Sequence, residues 1–242
     1  MSNLLKVIRE RHSARVPFDR KRPVPSTALE QILEAARWAP TAHNMQNFEI
    51  VVVDDPVLID QLGDIPTEMS EAFIRENFQQ LSFSEEELRA RKVGILATMF
   101  PPSWRTATPD MEAIARERGR GSLHDTIHDS PCLLVFTYDP TRRAPASEGD
   151  VLGLISLGCA LENAWLMAES LGVGLQIMSV FSGSKVERAV KELLAIPESL
   201  QIAFAARLGY PRDAAARAKS PRVRRDVKDL AHHNRFGKHG IG

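Results

Sequence analysis

Residues 150–181, DVLGLISLGCALENAWLMAESLGVGLQIMSVF, carry the reading that decides the fold. From Asp150 to Gly172 apolar residues occur around nearly the whole circumference of a helix, which predicts a central, buried helix. Gly153 and Gly158 weaken that helix intrinsically, so close approach of another helix is the expected compensation. Gly172 ends it, and Leu175–Phe181 follows as an apolar run of strand length. Downstream come an amphipathic helix over Ser184–Ala195, stopped by Pro197, and a second apolar run, Leu200–Tyr210. Upstream, Cys132–Tyr138 and Phe48–Asp55 are further strands. A helix beginning at Thr27, with Glu30 as its capping-box partner, ends at Pro40. A short helix over Asn3–Arg11 precedes an extended stretch set by Pro17 and Pro23. Four short apolar strands between longer helices give an α+β domain, a small sheet with helices on its faces.

The segment 56–130 interrupts this pattern. It mixes amphipathic pieces, among them Ser84–Leu96 with a Ser84/Glu87 capping pair, with breakers at Pro101, Pro102, Pro109, Gly119 and Gly121. A connection this long should hold helices of its own or cover a site. A helical, lid-type insertion is expected within one domain spanning 1–242, with Phe100, Trp104 and Met111 as lid residues.

Composition narrows the class. Apolar residues make up 43% and charged residues 26%, ordinary values for a soluble globular protein. Lys and Arg number 31 and so do Asp and Glu, which argues against a dedicated nucleic-acid or membrane-surface protein. From Arg207 onward, however, ten Lys or Arg face only three acids, so the tail is a basic patch or simply a solvated face. Cys132 and Cys159 stand apart from any metal-binding or redox spacing, consistent with reduced thiols. With no signal core in MSNLLKVIRERHS and no uninterrupted apolar run of ~20 residues, a cytoplasmic enzyme is expected.

No GxGxxG, P-loop, HExxH or GxSxG occurs, and nothing assembles the serines, acids and histidines into a triad or a metal site. Four segments carry what chemistry there is. RHSAR (Arg11, His12, Ser13, Ala14, Arg15) packs two guanidinium groups and a hydroxyl into five residues, a compact anion site, although clustered arginines are commonly just solvated. APTAHNMQNF (Ala39–Phe48) concentrates small residues with amide and hydroxyl donors in a loop that can lie against a planar heterocycle or be an ordinary connection. The central helix leads through LGVG into LQIMSVF, whose strand end offers backbone N–H groups. The tail SPRVRRDVKDLAHHNRFG (Ser220–Gly237) brings Arg222, Arg224 and Arg225.

In this order and spacing, over about 3–55 and 130–237, the four segments resemble the FMN-dependent nitroreductase superfamily; 56–130 has no counterpart that can be placed. The resemblance implies an α+β sandwich, an intertwined homodimer with two FMN sites at the subunit interface. It implies that Arg11 and Ser13 bind phosphate and ribityl groups, that Arg15 lies near the pyrimidine edge, and that His12 contributes backbone contacts. Pro40, Thr41, Ala42, His43 and Asn44, with Gln46 beside them, would reach the flavin of the other subunit. Ile177, Met178, Ser179 and Val180 would lie beside the flavin nitrogen-5, and Arg222 and Arg224 would bind phosphate. The implied activity is ping-pong hydride transfer from NADPH or NADH to nitro, quinone or similar electron-poor small molecules, with no catalytic side chain. The chain departs from the pattern at Asn47-Phe48, where members often carry Pro-Trp, and at Ser179-Val180, where many carry an acid and a glycine. Dehalogenation, dehydrogenation and flavin destruction are the alternatives within the superfamily; a polyanion-binding protein using the basic tail is the alternative outside it.

Overall fold

A computed structural model describes residues 3–67, 71–100, 110, 112–114, 121–145, 147, 149–213 and 221–239. The chain divides into two compact units, 1–67 with 121–217, and 68–120 with 218–242.

The first unit is built on four strands: β1 (Phe48–Val53), β2 (Cys132–Tyr138), β3 (Gly174–Met178) and β4 (Gln201–Gly209). They pair antiparallel in the order β1-β2-β4-β3. β2 is buried at all seven positions, because both faces of the sheet are covered; that is why it reads as a continuous apolar run rather than an alternation. Cys132, Leu134 and Phe136 point into one core with α2 (Ser26–Arg37) and α4 (Val151–Ser170). Leu133 and Val135 point into the other with α3 (Pro56–Gly63) and α5 (Ser184–Leu194). α1 (Asn3–Glu10) lies against α4 and buries none of its residues. The α+β expectation and the four strands hold.

α4 corrects one expectation. Only one face is buried, through Ser156, Leu157, Ala160, Ala164, Trp165 and Ala168, while Val151, Leu152, Leu154 and Ile155 stay exposed. The helix is also long and apolar enough to pass the length and composition test for a membrane span, with a third of it buried. Its glycines do not serve a neighbouring helix: a Cβ on Gly153 would come 2.5 Å from Asn47 Nδ2, and one on Gly158 would meet open space. The helix ends as expected. Gly172 has φ 72°, its N–H reaches the Glu169 carbonyl, and Val173 N–H reaches Ala168, a two-bond C-terminal cap that needs a left-handed residue.

Three boundaries move. The Thr27/Glu30 capping box does not form, because the helix starts at Ser26 and the Pro25 carbonyl already accepts from Ala28 and Leu29. The strand expected through Phe181 stops at Met178, where Ser179–Ser182 tighten into a 3₁₀ turn. The helix expected over Ser84–Leu96 covers Glu85–Arg91 only. There the Ser84/Glu87 capping box is present, but Lys92 turns left-handed and the chain folds back to pair Ile95–Leu96 with Ser82–Phe83.

That helix belongs to the second unit, which begins at residue 68; α3 and the His124–Ile127 turn belong to the first. In the second unit Phe100 packs edge-on against Phe78, ring centroids 5.7 Å apart, beside Ile74 and Ile114. Trp104 and Met111 lie outside the described residues. The tail is anchored within this unit by Lys92 Nζ, 2.5 Å from Asp226 Oδ2, and that ammonium holds the Asp226 carboxyl below its usual range.

Candidate functional site

The RHSAR segment runs along the free edge of β3. Ser13 forms a single parallel bridge with Leu175, the Ala14 N–H donates to the Leu175 carbonyl at 2.9 Å, and the Arg15 N–H closes a tight turn onto the Ser13 carbonyl. Thus Arg11–Arg15 and the strand that leads to Ile177–Val180 lie side by side.

α4 grips the same segment from above with side chains three and four residues apart, the spacing of one helical face. Arg11 Nε is 3.4 Å from Glu162 Oε1, and its guanidinium stacks over the Trp165 ring at 4.6 Å. Trp165 Nε1 donates to the His12 carbonyl, and the His12 ring lies 3.7 Å from Glu169. Arg11 Nε is buried with no hydrogen-bond partner, so the Glu162 pair leaves donor capacity at the segment. Arg15 differs. Its residue surface is exposed, yet the protein around the guanidinium desolvates it enough to lower its pKa below the ordinary arginine value, and it meets no acceptor among the described residues.

The Pro40–Asn44 loop hangs from the other half of α4. Ser156 Oγ accepts from the Ala42 N–H at 3.1 Å while donating to the Leu152 carbonyl, and the side chain of buried Asn47 packs on Gly153. Between these pins, His43, Asn44 and Gln46 all have φ near +50°, a conformation uncommon for residues with a Cβ and tolerated best by Asn and His. The Gln46 N–H donates to Thr41 Oγ1, and Gln46 Nε2 donates to Asn44 Oδ1, which over-determines the loop. Strained backbone held this firmly is a recurrent feature of ligand clamps.

One helix therefore carries both segments at different stations. From Ser156 to Trp165 is nine residues, roughly 13 Å at 1.5 Å per residue, so the Pro40–Asn44 loop and RHSAR of one chain are separated along α4. Arg222 and Arg224 belong to the second unit. Both are exposed, and Arg224 Nη1 donates to the Val223 carbonyl. A cavity of about 390 Å³ opens between Leu154, Leu157 and Gly158 of α4 and the Gln201–Phe204 start of β4; none of the residues expected at the site lines it.

The helix residues that hold these loops were missed in the sequence, although Glu162 and Glu169 are lone acids in an apolar helix and so are a readable signal. Ser156 and Asn47 carry none. Burial pushes the Cys132 thiol up to about 12, which makes it an inert core residue. Among the described residues no group of three or more His, Cys, Asp or Glu could hold a metal ion.

Residues 8–210 match the sequence model of the nitroreductase family. The chain belongs to that family. A relative in Archaeoglobus fulgidus, named as an NADH dehydrogenase/NAD(P)H nitroreductase, is 27% identical over 88% of both chains. A Staphylococcus aureus NADPH-dependent oxidoreductase is 25% identical over 95% of this chain and 72% of its own. In structure, the family fold recurs in a nitroreductase with bound FMN from Desulfitobacterium hafniense, with TM-score 0.57, 24% identity, and 96% and 98% of the two chains covered.

Proposed function

We propose that this nitroreductase-family chain is an NAD(P)H-dependent oxidoreductase that holds FMN between two copies of itself and reduces nitro, quinone or similar electron-poor small molecules. The observation that carries the reading is the seat of RHSAR: a segment with two arginines docked on the edge of β3, the strand that leads to Ile177–Val180. FMN, when bound, supplies the redox chemistry by accepting hydride at its nitrogen-5 and passing it on. The residues present fit it. Arg11 keeps a buried Nε without a hydrogen bond, and Arg15 presents a guanidinium that meets no acceptor among the described residues.

In this reading Arg11 and Ser13 would hold phosphate and ribityl oxygens, with His12 contributing backbone, while a phosphate role for Arg222 and Arg224 of the tail is a separate part of the proposal. Arg15 would present a positive charge to the pyrimidine edge and so favour the reduced form. Ile177, Met178, Ser179 and Val180 would line the reactive side of the ring. Pro40, Thr41, Ala42, His43 and Asn44 serve the site of the second copy, which their separation from RHSAR along α4 favours. Two apolar surfaces support a homodimer: Val151, Leu152, Leu154 and Ile155 on α4, and Leu4, Leu5 and Ile8 on α1 are all exposed in the single chain. A partner copy covers them at less cost than water does. Glu162 and Glu169 on α4, engaged with Arg11 and His12, fit such an interface better than a lipid environment. A cytoplasmic setting accords with the two free thiols.

Purified protein should be yellow, run as a dimer on sizing, and bleach on one anaerobic addition of NADPH. Colourless monomer after reconstitution with FMN overturns the reading. Within the reading, Arg15→Ala should slow flavin reduction about 10- to 100-fold, the loss of one preorganised charge at the developing anion, while FMN affinity falls much less. A stopped-flow reduction rate equal to wild type removes Arg15 from the mechanism.

A further inference from the structure

β4 carries a charged residue where its neighbours are apolar. Arg207, 7% exposed, faces Leu133 across the sheet and spends its guanidinium on four acceptors. Nη1 donates to Asp129 Oδ1 at 2.6 Å, and Nε donates to Gln176 Oε1 at 2.8 Å. Nη2 donates to the carbonyls of Val16 at 2.9 Å and Ala14 at 3.4 Å. Those two carbonyls flank Arg15.

The rest of the neighbourhood serves the same segment. Asp129 Oδ2 accepts from the Phe18 N–H. The Phe18 ring is fully buried, 4.5 Å from the Arg207 guanidinium carbon, on a seat made by Gly174 and Gly209 of the paired strands, where any Cβ would come within 3 Å of it. Arg212 Nε donates to the Phe18 carbonyl. Residues 14–18 are thus lashed to the end of β4 by side chains, with only sparse backbone pairing.

Burying an ion pair is an expensive way to fill a sheet position, since an apolar residue of similar volume often does so at no loss of stability. What Arg supplies and an apolar residue cannot is a planar fork that reaches a carboxylate on one arm and two carbonyls on the other. We propose that the Arg207–Asp129 pair is a positioning device for Arg15, fixing the backbone on both sides of it so that its guanidinium stays aimed at the anionic edge of a bound flavin. This rests on the reading of Arg15 given above. Arg207 touches no flavin in this scheme and acts only through the segment it holds.

The test is the midpoint potential of bound FMN in wild type, R15A, R207L, R207K and R15A/R207L, with thermal stability measured in parallel. Loss of aim should weaken the preference for reduced over oxidised FMN about tenfold, which a two-electron couple converts to a midpoint lower by about 30 mV. R207L and R207K are both expected to show that drop. R207K still pairs with Asp129, so it should keep most of the stability that R207L loses, but one ammonium cannot span both carbonyls. Adding R207L to R15A should lower the potential no further. If R207K has the wild-type potential, or R207L adds its full shift on top of R15A, the positioning role is overturned and Arg207 is a stability residue. If R15A leaves the potential of bound FMN in place, the reading of Arg15 fails and takes this inference with it. Protein that binds no FMN overturns the proposed function itself.

Discussion

Asp129→Ala is expected to lower the free energy of unfolding by about 3–5 kcal/mol, the usual cost of stripping one partner from a buried ion pair. The magnitude follows from what is left behind. The Arg207 side chain is 8% exposed and that of Asp129 6%, so removing the carboxylate leaves a buried guanidinium without its ion-pair partner. The Phe18 N–H loses its acceptor as well. By contrast, the exposed Glu85–Arg89 pair, also 2.6 Å long, should be worth only about 0.3–0.5 kcal/mol, because solvent screens it and two long side chains must be ordered to make it. Urea unfolding distinguishes these cases. Asp129→Ala should move the midpoint to lower denaturant at an unchanged slope. A loss below about 1 kcal/mol would mean that the segment 14–18 relaxes freely and that the pair does not hold it.

How much of this was legible in the sequence depends on whether the signal was local. β2 and β4 read directly, because β2 is buried at every position and β4 is apolar but for Gln201 and Arg207. The capping box at Ser84 and the left-handed stop at Gly172 also read directly, because each is decided within a few residues. The boundaries that moved were decided by competing local bonds: the Pro25 carbonyl pre-empted Thr27, and Lys92 and Gly94 turned the chain before Leu96. α4 is a different case. Composition announces an apolar helix but not what covers it, and one of its faces stays exposed in the single chain. The four candidate segments were read locally, yet most of the side chains that pin RHSAR and the Pro40–Asn44 loop were not. Arg207 was a readable anomaly, a charge inside an apolar strand. Asp129, Ser156 and Asn47 look like any polar residue in a loop or helix, and only the folded chain shows what they hold.

The basic tail carries the other large expected effect. Arg222 and Arg224 alternate along the segment that ends at Asp226, where Lys92 anchors the chain. They are the proposed phosphate grip, and each charge-assisted bond to a phosphate contributes about 1.5–3 kcal/mol. Changing both to Ala should therefore raise the FMN dissociation constant about 10²- to 10⁴-fold at about 1.4 kcal/mol per decade, with the larger value at low salt, where screening is weakest. A general loss of folding would mimic this, so the discriminating measurement is the preference for FMN over riboflavin, which has the same ring and ribityl chain but no phosphate. In wild type the ratio of the two dissociation constants reports the phosphate grip. In the double variant it should collapse towards one, while riboflavin itself binds as before, because the contacts proposed for Arg15, Ser13 and the strand end are untouched. A double variant that still prefers FMN by the wild-type ratio places the phosphate elsewhere, with Arg11 the other arginine proposed to hold it.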